Sequence, residues 1–324
     1  MANFPDETTS LCPHCFRPVA ARRTVKNNAV YLEKKCPEHG ALEDVLLWRN
    51  DPRHFDKWRR QPARPVRGGG IPQETASRTA LNRKGCPFNC GICHNHKQHT
   101  CSVILEVAHA CNLQCPICFA SSGTAVCADP NLDQLERMMG AIRESAGASC
   151  PIQLSGGEPT LRDDLPQIVA LARKMGFDHI QINTNGLRLA RDPDFGRALK
   201  DAGADDFFLQ FDGVSRDVYR RIRGADIQQE KMLAVERCAE LQMGVILVPT
   251  LVRNVNENEI GDIIRFAKKW MPAIKGVHFQ PMAYLGRHPA IPNNEGRILI
   301  PDILAAIEDQ TSGELKAENF IPPG

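Results

Sequence analysis

The order of apolar segments predicts an α/β fold, a partial (β/α)6 barrel preceded by a small Cys-rich N-terminal metal-binding module. Three observations carry this. After Cys101, short apolar runs of strand length alternate with helical stretches, the pattern of a parallel sheet with helices outside. Six such units can be counted, fewer than the eight of a closed barrel. The first three strands are each followed by a loop of Cys, Gly, Glu or Asn residues, and such folds keep their chemistry at the carboxyl ends of strands. A doubly wound sheet is the second architecture the alternation allows.

Taken in order, the candidate strands are residues 103–107, 151–154, 179–182, 206–211, 244–248 and 276–279, each rich in Val, Ile, Leu or Phe. Helical spacing of apolar residues marks 132–142, 165–175, 194–202, 228–241 and 259–270 between them. Upstream, residues 12–48 read as a metal-nucleated module with strand-like pieces at 29–32 and 45–48. Residues 57–84 then form a linker rich in Pro, Gly and Arg that lacks the apolar surface to fold alone. The expected organisation is a zinc-ribbon-like module over 1–56, a linker and second cysteine cluster over 57–101, a catalytic core over 102–285 and a C-terminal extension over 286–324.

Composition narrows the function classes. Forty Lys and Arg against 38 Asp and Glu leave a net charge of +2, which gives no general reason to expect nucleic acid or an anionic membrane as partner. No run approaches the roughly 20 apolar residues of a membrane helix, and the start at Met1-Ala2-Asn3-Phe4-Pro5-Asp6-Glu7 lacks the regions of a signal peptide. A cytoplasmic protein is expected. Thirteen cysteines, an odd number in closely spaced groups, then point to metal thiolates rather than disulfides.

Cys111, Cys115 and Cys118 supply three soft thiolates from one short loop after the first strand. Three readings fit the spacing: a four-iron cluster with one iron left open, a zinc site completed by a residue such as His109, or an electron-transfer cluster completed by a distant cysteine. Cys86, Cys90 and Cys93 repeat the spacing, with Cys101 as a fourth thiolate, and read as a fully ligated [4Fe–4S] cluster or a zinc site. Cys12, Cys15, Cys36 and His39 form a third group, suited to structural zinc, with mononuclear iron or an unmetallated turn as alternatives. Cys127, Cys150 and Cys238 stand alone, and Cys238 reads as core.

The segment Cys111-Asn112-Leu113-Gln114-Cys115-Pro116-Ile117-Cys118-Phe119-Ala120 after one strand, with Ser155-Gly156-Gly157-Glu158-Pro159-Thr160 after the next, resembles the radical S-adenosylmethionine (SAM) superfamily. The resemblance covers roughly residues 101–282. It implies that Cys111, Cys115 and Cys118 hold a [4Fe–4S] cluster whose open iron chelates SAM, and that Gly156, Gly157, Glu158 and Pro159 contact the methionyl amine. Glycines allow close backbone approach, and a carboxylate suits an ammonium group. Asn183 and Asn185 resemble the family's next SAM-proximal segment. Gln210, Asp212 and Arg223 resemble pocket residues, although Asp212 could equally cap a helix and Arg223 could be structural.

The cysteine-rich front and the second triad resemble multi-cluster radical SAM proteins such as dihydropterin methyltransferases and archaeal tetraether lipid synthases. Members carry further cysteines beyond the point corresponding to Pro322-Pro323-Gly324, so a truncated form is expected. The resemblance implies an enzyme that cleaves SAM reductively for methylation or C–C bond formation on a pterin, lipid or other small molecule. A donor such as ferredoxin or flavodoxin would supply the electron, and no nucleic acid or transmembrane segment is involved. A non-catalytic Fe–S carrier is the alternative, and a nucleic-acid-binding zinc protein is a third reading.

Overall fold

The computed structural model describes residues 6–59, 100–123, 128–146, 150–289 and 293–322. The chain divides into two units, one of residues 100–292 and one joining the N-terminal residues to those from Asn293 onward.

The first unit is built on antiparallel strands β1 (Asp6–Leu11), β2 (Pro18–Lys26), β3 (Ala29–Cys36), β4 (Gly40–Ala41) and β5 (Val45–Trp48), followed by α1 (Pro52–Arg59). The order is β1-β2-β3, with both β4 and β5 on β3. One small buried cluster there is Cys12, Val19 and Cys36, with Cys15 and Leu42 packed against it. The C-terminal segment belongs to this unit. Asn294 accepts from Leu46 N at 2.8 Å and donates to Asp44 O at 2.7 Å, while Arg49 donates to the carbonyls of Asn294 and Arg297.

In the second unit, β6 (Val103–Ala108), β7 (Ile152–Gly156), β8 (Ile180–Thr184), β9 (Asp206–Gln210), β10 (Gly244–Val248) and β12 (Ile274–Val277) make one parallel sheet in unbroken order from β6 to β12. A doubly wound sheet would reverse direction partway; this one does not, so the partial barrel holds. The helices α2 (Leu132–Ala146), α3 (Leu165–Lys174), α4 (Leu187–Arg191), α5 (Pro193–Asp201), α6 (Arg216–Arg223), α7 (Gln228–Glu240) and α8 (Ile260–Lys269) fall between strands. A two-residue strand β11 (Thr250–Leu251) pairs with β13 (Gln280–Pro281) beyond the ends of β10 and β12. The chain's last long helix is α9 (Ile300–Gln310), in the first unit.

Strand periodicity places alternate side chains on opposite faces. Leu105, Val107, Ile152, Leu154, Ile180, Ile182, Phe207, Leu209, Val245 and Leu247 are buried in one core with the inward faces of the helices, such as Leu135 and Met139 of α2. Burying each of these large side chains contributes about 1.5–3 kcal/mol, so this face fixes the register. The intervening residues, among them Glu106, Gln153, Asn183 and Phe208, remain partly or fully accessible.

Two elements of this unit escape the periodicity. Residues 187–201 form two helices, because Asp192 caps α5 by accepting from Phe195 N at 3.1 Å and Pro193 can start a helix but not continue one. Residues 216–223 are helical and stop at Gly224, whose φ of 75° lies in the left-handed region.

Candidate functional site

The loop after β6 is tied at several points. Cys111 N donates to Gly123 O at 2.8 Å, and Cys118 and Arg287 exchange both backbone hydrogen bonds at 2.9 and 2.8 Å. The Arg287 side chain adds bonds from Nε to Cys115 O at 2.6 Å and from a terminal nitrogen to Ser122 O at 2.8 Å. Leu113 and Cys115 anchor the loop in a buried cluster with Leu187, Tyr219 and Ile227, against which Cys111 and Cys118 also pack. All three cysteines therefore gather at the carboxyl end of β6.

Burial pushes the Cys111 thiol up to about 11, with the nearby Glu158, Cys115 and Cys118 charges adding to it. Burial raises Cys115 too, opposed by the Arg223 guanidinium that hydrogen-bonds it. Three mutually repelling sulfurs in a half-buried pocket become stable thiolates only with a cationic metal centre among them. Their donor chemistry fits the iron–sulfur group.

The Gly-Gly-Glu-Pro turn after β7 lies directly on this loop. Gly157 N donates to Ala108 O at 2.7 Å and Glu158 N to Ala110 O at 2.8 Å. A Cβ on Gly156, whose φ is +127°, would stand 2.0 Å from Ala108 O, and one on Gly157 would stand 2.2 Å from Ala110 O. The glycines thus serve the approach of two backbone segments, where the sequence had pointed to approach of backbone to ligand.

Glu158 differs more from expectation. Its side chain is 1% exposed; Oε1 accepts from Thr160 N, Thr160 Oγ1 and Thr184 Oγ1 at 3.1, 2.6 and 2.6 Å, and Oε2 accepts from Asn185 N at 2.7 Å. Four internal donors engage the carboxylate, so it welds the ends of β7 and β8 together. Pro159, also buried, opens the single 3-10 turn that follows.

Asn185 is buried, donates to Asn112 Oδ1 at 2.7 Å and accepts from Leu187 N at 3.0 Å, linking the end of β8 to the cysteine loop. Asn183, one turn of pleat lower, donates to Gln153 Oε1 at 3.2 Å. Asp212 is 0% exposed and pairs with Arg223 through two 2.6 Å bonds, while Arg223 also donates to Ile117 O and Thr250 Oγ1. Asp212 caps no helix; its Oδ1 accepts from Thr250 N at 3.0 Å. Burial opposes the Arg223 charge, but Asp212 and Cys115 hold its pKa above the ordinary guanidinium range.

Sequence reasoning missed Lys231. It is fully buried on α7, and Nζ donates to Asn185 O and, at 3.0 Å, to Gln210 Oε1. Burial lowers its pKa to about 8 against the pull of Asp212. A signal was available: Lys231, Ala234, Val235 and Cys238 share one helical stripe, and all are buried. Arg287 carried no such signal, since nothing local links it to Cys118.

In the other unit, one ligand atom from each of Cys12, Cys15, Cys36 and His39 lies within 4.8 Å of the rest. Cys36 Sγ is 3.4 Å from His39 Nδ1 and 3.8 Å from Cys15 Sγ, and His39 Nδ1 is 3.7 Å from Cys12 Sγ. The His39 contact lowers the Cys36 thiol to about 6. Such a set suits a tetrahedral metal ion. Cys86, Cys90, Cys93 and Cys127 lie outside the described residues. Cys101 is exposed just before β6, at the opposite end of that strand from Cys111, and the buried Cys150 stands close enough to feel its charge. Cys238 is core, its thiol raised to about 12 by burial.

An unbroken parallel half-barrel with three cysteines at the end of its first strand and a Gly-Gly-Glu-Pro turn against them defines a SAM-dependent radical enzyme class. The model of the radical SAM superfamily matches residues 105–267, and the chain belongs to that superfamily. A second model, the HMPTM N-terminal zinc ribbon domain, matches residues 4–49. The chain is 38% identical over 320 residues to a 7,8-dihydro-6-hydroxymethylpterin dimethyltransferase of Methanocaldococcus jannaschii, covering 98% of this chain and 61% of that one. It is 28% identical over 176 residues to a probable GTP 3′,8-cyclase of Methanothermobacter marburgensis, 54% of this chain and 56% of that one. The chain spans about three fifths of the length of these relatives.

Among solved structures, native anSMEcpe with bound AdoMet and Kp18Cys peptide matches with a TM-score of 0.51 at 18% identity, over 66% of this chain and 62% of that one. Streptococcus suis SuiB bound to precursor peptide SuiA matches at 0.50 and 13%, over 66% and 46%. These likenesses concern the fold. The chain is thus a member of the radical SAM superfamily with an N-terminal zinc-ribbon match whose Cys/His group could hold a metal ion, and none of its described helices is long and apolar enough to cross a membrane.

Proposed function

We propose that this enzyme cleaves one SAM reductively, that the radical so formed takes a hydrogen atom from a reduced pterin, and that a second SAM gives its methyl group to that pterin and leaves as S-adenosylhomocysteine, two electrons from the donor being consumed in all. The observation that carries the reading is the seating of the Gly-Gly-Glu-Pro turn on the loop that brings Cys111, Cys115 and Cys118 together. Those three cysteines would hold a [4Fe–4S] cluster. When bound, such a cluster supplies one electron to the sulfonium of SAM, releasing methionine and a 5′-deoxyadenosyl radical.

The chain's own part is to bind and orient. Backbone groups of Gly156, Gly157 and Pro159 would take the methionyl ammonium, and the buried Glu158 carboxylate keeps the turn in place through Thr160, Thr184 and Asn185. Asn185 and Gln210, both held by Lys231, would face the rest of the SAM molecule. Arg223, fixed by Asp212, places a permanent cation beside Cys115 and favours its thiolate. Cys86, Cys90, Cys93 and Cys101 would carry a second cluster, Cys12, Cys15, Cys36 and His39 a zinc ion, and a ferredoxin- or flavodoxin-type donor the electron. The likeness to the M. jannaschii dimethyltransferase supports the pterin class.

The test is anaerobic incubation of reconstituted protein with SAM, dithionite and 7,8-dihydro-6-hydroxymethylpterin. 5′-Deoxyadenosine, S-adenosylhomocysteine and a methylated pterin are expected, and none of them from the Cys111→Ala, Cys115→Ala or Cys118→Ala variants. S-adenosylhomocysteine as the sole SAM product would mean polar methyl transfer and overturn the radical reading.

A further inference from the structure

The accessible face of the parallel sheet carries acceptors that lack donors. Asn183 lies opposite Phe208 in the pairing of β8 with β9, and its Nδ2 is used on Gln153, but its Oδ1 is shielded from solvent and accepts no hydrogen bond from any of the described residues. Glu106 of β6, two residues before the strand ends, points its carboxylate to the same accessible face by strand alternation; it is exposed, and among the described residues no hydrogen bond or ion pair engages it. Phe208 is half-buried there, its ring edge-on to that of His278 at 5.4 Å between centroids. A shielded acceptor left unmet is rare and calls for an explanation; a ligand that displaces what covers it would bring the missing donor.

We propose that this face reads the donor edge of a 2-amino-4-oxopyrimidine ring. The inference rests on the pterin reading above and adds the residues that would set its specificity. Both open positions accept, so the ligand must donate. An aminopyrimidinone presents a ring N–H beside an exocyclic NH2, a pair that matches the two oxygens of one carboxylate as a guanidinium does. Glu106 takes that pair, Asn183 Oδ1 takes a further donor from the ring system, and Phe208 with His278 gives the flat ring an aromatic wall. A dioxopyrimidine carries oxygen where the amine stands and would set acceptor against acceptor.

Isothermal titration of the anaerobically reconstituted full chain with pterin and with lumazine, which carries oxygen in place of pterin's 2-amino group, separates the possibilities. The wild type should bind the pterin at least roughly tenfold more tightly than lumazine. Glu106→Gln should lose roughly ten- to a hundredfold in pterin affinity, the scale of a charge-assisted pair, with little change for lumazine. Asn183→Leu removes the unmet acceptor, so it should weaken pterin binding while keeping or raising the thermal midpoint, a split that a merely structural residue cannot give. Equal pterin binding by wild type and both variants would overturn this assignment and leave the pterin reading standing. Equal affinity for both rings would also overturn it. Binding of neither ring, with SAM still cleaved to 5′-deoxyadenosine, would overturn the pterin reading itself and this inference with it.

Discussion

Cys118 and Arg287 are joined by two backbone hydrogen bonds, and the same arginine's side chain holds Cys115 O and Ser122 O, so the cysteine loop is closed by a residue from the far end of the barrel unit. Its ligands are placed by tertiary contact as well as by their spacing. Replacing Arg287 by Ala keeps the backbone pair and removes two charge-assisted bonds, each worth about 1.5–3 kcal/mol. The expected result is a chain that folds and takes up iron but loses more than half of it in a timed chelator challenge that the wild type survives, measured as iron per chain.

Lys231 gives a stability profile with a definite sign. Its folded pKa is about 8 against an ordinary 10.5, so between those values the unfolded chain binds more protons than the folded one. Stability carried by this residue therefore rises as pH increases from about 8 to 10.5. Lys231→Met removes the effect, so the wild type should gain thermal midpoint relative to the variant across that window. At pH 7.5 the variant should melt no lower than the wild type while its SAM dissociation constant rises roughly tenfold through loss of the hold on Asn185 and Gln210, read by equilibrium dialysis.

Gly157→Ala tests the approach of the two loops. A methyl group 2.2 Å from Ala110 O forces the turn off the cysteine loop. The cost should be about 3 kcal/mol or more, a fall of about 6–12 °C in Tm for a unit of this size. A calorimetric scan that shows no fall would mean the turn does not rest on Ala110.

The N-terminal group should hold about one zinc per chain. Cys36→Ser should abolish it, measured by elemental analysis, and leave the iron bound by the barrel unit unchanged. The depressed Cys36 thiol near 6 further predicts that zinc affinity starts to fall as pH drops below about 6, because protons then compete for the sulfur. Iron with a mononuclear thiolate spectrum in its place would exclude zinc.

Sequence alone was enough for the order of the barrel strands. Val103–Ala108 and Gly244–Val248 read correctly because rows of Val, Ile and Leu are the physical requirement of a strand covered by helices. Cys111, Cys115 and Cys118 could be grouped from the sequence because residues on one short loop need no tertiary help to be close in space. The hairpin of β1 and β2 was illegible, since its residues alternate with Arg, Lys and Thr at a surface where little is buried. The fold decided what each polar group meets. Glu158 had the right character for an ammonium, but Thr160, Thr184 and Asn185 reach it first. Lys231 and Arg287 enter the site from an outer helix and from beyond the last sheet strand, because hydrogen bonds and burial act on distance in space and take no account of separation along the chain.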